Sequence, residues 1–263
     1  MSTRKSFYLD AVIQIDIRGD ITDAIEIDDL IKDYKEVRAL KGLNLKVRPG
    51  QVFGFCGPNG AGKTTTLKIL VGLVFPTGGH ARISGIDVVE RGVEARKLVG
   101  YLPESYGLPR WDTPRKFLAY MGAMSGMPKE SLKTAIEEKA KELEFSDLLD
   151  RKLSGLSKGN RQKVGIAQAL IHEPEVLLLD EPTTGLDPIG RNEVLARMKD
   201  LSKKGKTVLF STHILSDVEK ICDTVAIIHN GSLILEGEPE VLKREHGKKD
   251  LDELFLKVAG HEQ

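Results

Sequence analysis

Hydrophobic and polar positions along this chain alternate in short blocks. Ile25–Ile31 and Leu43–Val47 read as strands, and Pro49-Gly50 marks a turn before the next one. Gln51–Cys56 is a strand that runs into a glycine-rich loop, and Thr64–Val74 has helical spacing. Residues 113–150 change character. They are rich in Leu, Ala, Lys and Glu at helical intervals, with Pro114, Pro128 and Pro174 as punctuation. Short apolar runs then return at 175–180, 206–211 and 224–229, each apolar on both faces as buried parallel strands are. Upstream of all this, Ile13, Ile15 and Ile17 alternate with Gln14, Asp16 and Arg18 before a Gly19-Asp20 turn, which fits an edge strand or a loose tail. The pattern predicts an N-terminal extension over 1–22, then a single α/β domain over 23–263 with a mostly helical insert at about 103–160.

Composition narrows the function classes. The chain has 263 residues, with 39 Lys+Arg against 39 Asp+Glu, so its net charge is zero. A nucleic-acid surface needs a basic excess, and none is expected here. The longest apolar runs, such as Val176-Leu177-Leu178-Leu179, fall far short of the roughly 20 residues of a membrane span. Asp10, Asp16, Arg18 and Asp20 break every apolar stretch near the N-terminus, so no signal peptide is expected. Cys56 and Cys222 lie far apart in sequence and read as packed, reduced thiols.

Gly57-Pro58-Asn59-Gly60-Ala61-Gly62-Lys63-Thr64 fits the phosphate-loop pattern G-x-x-x-x-G-K-[ST] completely, between a strand and a helix. The glycines let backbone N–H groups approach phosphate oxygens, and the helix start adds about half a unit of positive charge. Lys63 can reach the β- and γ-phosphates, and the Thr64 hydroxyl can ligate Mg²⁺. The pattern points to a nucleoside triphosphate, with Thr65 completing the cradle. Farther on, Val176–Leu179 ends in Asp180-Glu181. Phosphate-loop enzymes need an acid at such a strand end to hold the metal, which suits Asp180; Glu181 points differently and can orient the attacking water.

With these residues in place, the chain resembles the ATP-binding subunits of ATP-binding-cassette (ABC) transporters, over about residues 25–257. The signature stretch is Leu156-Ser157-Lys158-Gly159-Asn160-Arg161-Gln162, with Lys158 and Asn160 standing where the common form has Gly and Gln. Ser157 lies 23 residues before Asp180. The resemblance implies that Ser157 and Gly159 contact phosphate, that Tyr34, 29 residues before Lys63, stacks on adenine, and that His213 senses the γ-phosphate. Gly185-Leu186-Asp187 resembles the loop linking the two sites of a dimer. Glu104 stands where the family usually has Gln, and a carboxylate there can still ligate Mg²⁺ or its water.

The implied fold is the P-loop NTPase ABC ATPase fold: a mostly parallel core sheet, an antiparallel β edge and a helical subdomain insert. The implied activity is Mg²⁺-dependent ATP hydrolysis coupled to transport, with Lys63, Glu181 and His213 as the catalytic set. The implied assembly is a head-to-tail homodimer or heterodimer with another cassette chain, peripheral at the cytoplasmic face of the membrane and working with a separate permease. Lys158, Glu104 and the ending Leu251–Lys257 resemble the sodium- and drug-efflux branch, which implies export. In the family, the stretch Ser105–Met127 faces the membrane subunit; here it carries Tyr106, Leu108, Trp111, Met121, Met124 and Met127, with Trp111 the best single contact. Two other readings stay open: a soluble cassette ATPase of translation or repair, and an ATP-sensing regulatory module.

Overall fold

The computed structural model describes residues 22–260, so the alternation at Ile13, Ile15 and Ile17 lies outside the described residues. β1 (Ile25–Tyr34) and β2 (Val37–Val47) form a hairpin, followed by β3 (Val52–Cys56), α1 (Lys63–Leu70), β4 (Gly78–Ile83), β5 (Ile86–Asp87), α2 (Gly92–Lys97) and β6 (Val99–Leu102). A helical block comes next: α3 (Pro114–Met124), α4 (Lys129–Glu142), 3₁₀ turns at Ser146–Leu148 and Leu153–Gly155, and α5 (Lys158–Leu170). The chain ends with β7 (Val176–Asp180), α6 (Pro188–Lys203), β8 (Thr207–Thr212), α7 (Leu215–Ile221), β9 (Thr224–His229), β10 (Ser232–Gly237), α8 (Pro239–His246) and α9 (Leu251–Gly260).

The strands form two sheets. One has the order β10-β9-β3-β8-β7-β6, parallel except for the antiparallel β9–β10 pair at its edge. The other is the antiparallel sheet β2-β1-β4-β5. The parallel sheet is the shared wall of two cores. Phe53, Phe55, Leu178, Leu209 and Ala226 pack with α1 and the antiparallel sheet. Their alternates Val52, Leu177, Leu179, Phe210 and Ile227 pack with the helical block and with α6 to α9. Both faces are therefore covered, and the apolar strands match that requirement. Cys56 and Cys222 are both free.

Several boundaries differ from expectation for identifiable reasons. α1 stops at Leu70 rather than Val74, because Gly72 adopts φ 71° and bonds back to Ile69, a left-handed helix stop. β2 begins at Val37 rather than near Leu43, because pairing with β1 continues through register shifts around Asp28 and Asp29, where polar side chains alternate out to solvent. β4 and β5 start in a glycine-rich, polar stretch with no strand signature of its own; β4 forms against the open edge of β1, and β5 then pairs with β4.

Register is what the site needs. Cys56 pairs with Thr212, and Asp180 pairs with Ser211. The carboxyl ends of β3, β7 and β8 are thus flush, and ligand sites of open α/β sheets lie beyond such ends. At the sheet edge, β6 lies so close to α5 that a Cβ on Gly100 would sit 2.0 Å from the Ala169 carbonyl oxygen. Gly100→Ala is expected to push β6 off α5 and cost about 1–3 kcal/mol. Chemical denaturation measures this, and an unchanged midpoint would contradict the close packing.

Candidate active site

The loop between β3 and α1 is built for an anion. Gly62 enters the helix at φ 112° with no side-chain cap, and no acidic residue occupies the first turn of α1. The first amides of a helix have no intrahelical carbonyl to bond, so they present a concentrated positive end. Lys63 is buried there, and its ammonium donates to the carbonyls of Gly57 (2.6 Å) and Pro58 (3.1 Å). It also lies 3.6 Å from Glu181 Oε1. A cleft of 350 Å³ joins Ala39, Asn59, Gly60, Gly62, Lys63, Thr64 and Thr65 to Glu104 and Glu181.

Glu181 closes this cleft just beyond β7, and Asp180, the last residue of β7, bonds to the lining residue Thr64. Asp180 is 1% exposed and Glu181 8%. Asp180 Oδ1 accepts from Thr64 Oγ1 (3.2 Å) and from Ser211 Oγ (2.5 Å). Its other oxygen, Oδ2, is buried without a hydrogen-bond partner. A buried orphan oxygen beside a threonine hydroxyl suits a hard divalent cation that keeps most of its ligands as water and phosphate. Among the described residues no cluster of three His, Cys, Asp or Glu side chains forms an all-protein metal cage. Thr64, Asp180 and Glu104, which lines the same cleft as Thr64, are the residues here that could hold such a cation.

Strand alternation would send Asp180 and Glu181 to opposite faces. Glu181 instead adopts φ 50°, a left-handed conformation that costs about 1–3 kcal/mol for a residue with a Cβ. The turn brings both acids to the start of α1. Its N–H is held by Ser211 Oγ (3.0 Å) and the Ser211 carbonyl (3.2 Å). Its Oε2 accepts from Thr184 Oγ1 (2.9 Å) and lies 2.8 Å from His213 Nδ1. A carboxylate oxygen can only accept, so Nδ1 carries the proton in this contact. Ser211 and Thr184 had no role in the sequence reading, because only the parallel register and the turn bring them here.

The other expected site residues lie elsewhere. Ser157 caps α5 by accepting from Asn160 N–H (3.2 Å). With Gly159 it lines a second cleft, alongside Gly185, Leu186 and Asp187. A Cβ on Gly159 would meet nothing within 4 Å, so that backbone is open to close approach. The Lys158 ammonium rests against Gly185, where an added Cβ would be only 2.0 Å away. Tyr34 ends β1 with its ring 41% exposed and the Lys32 ammonium 4.9 Å from the ring centre; it is not among the residues lining the Lys63 cleft. Under the 183–187 loop, the fully buried Asp217 accepts from Thr183 Oγ1 (2.8 Å) and Arg191 Nε (2.5 Å).

The expected contact stretch 105–127 divides in two. Tyr106, Leu108 and Met127 pack against the core, Met121 is half-buried, and Trp111 (78%) and Met124 (70%) are exposed. A groove of 940 Å³ runs between α1, α2 and the end of α3, lined by Val71, Leu73, Val93, Met124 and Met127, with Tyr101 and His172 beside them. Trp111 is outside that lining. Burial pushes the Tyr101 hydroxyl pKa up and the His172 pKa down, so both are neutral near pH 7.

Residues 40–184 match the family profile described as ABC transporter. The chain is 40% identical over 221 residues to the uncharacterized ABC transporter ATP-binding protein YxlF of Bacillus subtilis (strain 168), covering 84% of this chain and 73% of that one. It is 37% identical to the Nod factor export ATP-binding protein I of Paraburkholderia xenovorans (strain LB400), covering 88% and 76%. A solved structure described as the ATP binding subunit of an ABC transporter superposes with a TM-score of 0.80 at 31% identity, covering 90% and 99%.

Asp217 supplies a stability test. Arg191→Leu removes its cation and leaves a buried, uncompensated charge, with an expected loss of about 3 kcal/mol by chemical denaturation. Replacing both Arg191 and Asp217 with Leu is expected to cost less than the single change, as a double-mutant cycle would show.

Proposed function

The chain belongs to the ABC transporter ATP-binding family, and on that premise we propose that it hydrolyses ATP as one half of an ATP-bridged dimer that drives a separate membrane permease, for export. One observation carries the dimer. Lys63, Thr64 and Glu181 share a cleft, with Asp180 hydrogen-bonded to Thr64 beneath it, whereas Ser157 and Gly159 line a different one. A helix start built for phosphate but separated from the phosphate loop of its own chain is completed by a second chain, head to tail. Homodimer and heterodimer with another cassette chain both satisfy this geometry.

The proposed mechanism uses positioning and charge, as phosphoryl transfer generally does. The amides of 60–65 and the Lys63 ammonium hold the β- and γ-phosphates, and the exposed ring of Tyr34 offers a face to the base. Thr64, Asp180 and Glu104 would hold Mg²⁺, which would neutralise phosphate charge. Glu181 takes up the proton of the attacking water, while Thr184 and His213 fix its carboxylate. His213 holds the γ-phosphate and water in line. Ser157 and Gly159 grip the γ-phosphate from the opposite subunit, so hydrolysis loosens the dimer.

The groove between α1, α2 and α3 is the surface proposed for the permease. Leu73, Val93 and Met124 are each exposed by 65% or more, and Phe75 and Tyr120 are also exposed. An exposed apolar groove lining of this kind suits a protein contact. Among the described residues no helix is long and apolar enough to cross a membrane. The family's transporter partnership supplies the membrane chain, and the reading puts this subunit on the cytoplasmic face. The relative whose name specifies Nod factor export supports outward transport.

Glu181→Gln is expected to slow hydrolysis by at least about a hundredfold and to trap an ATP-bound dimer on size-exclusion chromatography. Lys63→Ala is expected to abolish both turnover and dimer. A Glu181→Gln chain that stays monomeric at millimolar ATP would overturn the mechanism.

Leu73→Asp and Met124→Asp are expected to abolish copurification with the permease from solubilised membranes while leaving ATP binding intact. Loss in Trp111→Ala, with the groove variants unaffected, would move the docking surface to Trp111.

A further inference from the structure

Tyr106 lies two residues after Glu104, in the loop that follows β6. Its ring rests on α5 at Gly165, where a Cβ would come within 2.8 Å of Tyr106 Cζ. The hydroxyl donates to Gln162 Oε1 (2.8 Å), with the Arg161 carbonyl 3.2 Å away as a second acceptor. Gln162 is buried, and its Nε2 donates to the carbonyl of Pro182 (2.7 Å). Pro182 is the residue after Glu181. Two hydrogen bonds therefore join three segments that are distant in sequence: the loop after Glu104, the signature helix α5, and the turn that aims the acid.

The direction of this chain is set chemically. Burial pushes the Tyr106 pKa up to about 12, so the hydroxyl keeps its proton and donates across the physiological range. The Pro182 carbonyl can only accept, so Gln162 presents its amide there and its oxygen to the tyrosine hydroxyl. Glu181 holds a left-handed conformation that its surroundings must enforce. Fixing the next carbonyl restricts the backbone on the far side of that residue, as Ser211 does on the near side.

We propose that Tyr106 and Gln162 are positioning residues for hydrolysis: together they tie the aim of Glu181 to the placement of the 104–108 loop. Displacing that loop beyond hydrogen-bond reach, about 3.5 Å, removes the bond that orients the Gln162 amide, which weakens its hold on the Pro182 carbonyl and on the turn that holds the acid. The inference rests on the reading of Glu181 as the group that acts on the attacking water. It adds a route by which movement of the insert-side loop reaches that group.

The test compares Tyr106→Phe, which keeps the ring on Gly165, with Gln162→Leu and the double variant, all in the full chain. Backbone amides of Thr184 and Leu186 bond to the carbonyls of Glu181 and Thr183. Without nucleotide, each variant is expected to speed hydrogen exchange at these amides about fivefold, the worth of one hydrogen bond. Exchange in β3 and α1 is expected to stay unchanged. Under turnover, kcat is expected to fall about fivefold at unchanged KM for ATP, with no further fall in the double variant. Faster exchange confined to 104–108 overturns the proposal, as do unchanged kcat, additive losses, or a KM that rises with falling thermal stability. If the variants show the exchange pattern but the wild-type chain has no ATP turnover, the hydrolase reading fails and the tie between loop and turn stands. If wild-type turnover depends on Glu181 while Tyr106→Phe matches wild type in both measurements, only the positioning proposal fails.

Discussion

Asp180 and Glu181 are adjacent carboxylates with almost no contact with water. Removing such groups from solvent costs several kcal/mol each unless cations and donors replace the water. Around them the fold assembles a matched set: the Lys63 ammonium, the Thr64, Thr184 and Ser211 hydroxyls and the His213 ring. Only Asp180 Oδ2 is left over. These partners come from four elements, so they converge only if β3, β7 and β8 end in register. The apolar strands are the means to that register. With both faces buried, a slip by one residue would turn every core side chain toward the wrong layer.

The same constraint explains the strain at Glu181. A regular strand end would have separated the two acids across the sheet. The left-handed turn keeps them together, and the surrounding bonds hold it: Ser211 before it, Thr184 across it, and the Gln162 contact to Pro182 after it. The buried Asp217, paired with Thr183 and Arg191, anchors the next stretch of the loop to α6 and α7. The acid is aimed by parts of the molecule that carry no chemistry themselves, and one of those parts belongs to the helical block.

That block also divides the surface. Its α5 start presents Ser157 and Gly159 on a cleft of their own, and its α3 end forms one wall of the apolar groove. The phosphate-loop cleft, the cleft at the α5 start and the apolar groove thus have separate linings. Tyr106 shows how closely these parts are joined: a residue that reads as a surface contact is packed on Gly165 and bonded to Gln162.

What was legible in the sequence was local. The phosphate loop and Asp180-Glu181 are contiguous runs whose chemistry follows from residue type and spacing, and the core strands announce themselves because burial on both faces demands unbroken apolar residues. The antiparallel strands β4 and β5 gave no such sign, since their glycine-rich stretch forms strands only as β4 meets the open edge of β1 and β5 meets β4. The roles of Ser211, Thr184, Gln162 and Asp217 were likewise hidden, because each depends on a partner three to thirty-four positions away that only the folded chain brings near. The division of Trp111 and Met124 from Tyr106, Leu108 and Met127 followed the same rule. Spacing along a loop does not say which side chains find a core, and burial is decided by what packs against them. Residue chemistry determined what this protein can bind; register and packing decided how its acids are aimed and which surfaces remain for partners.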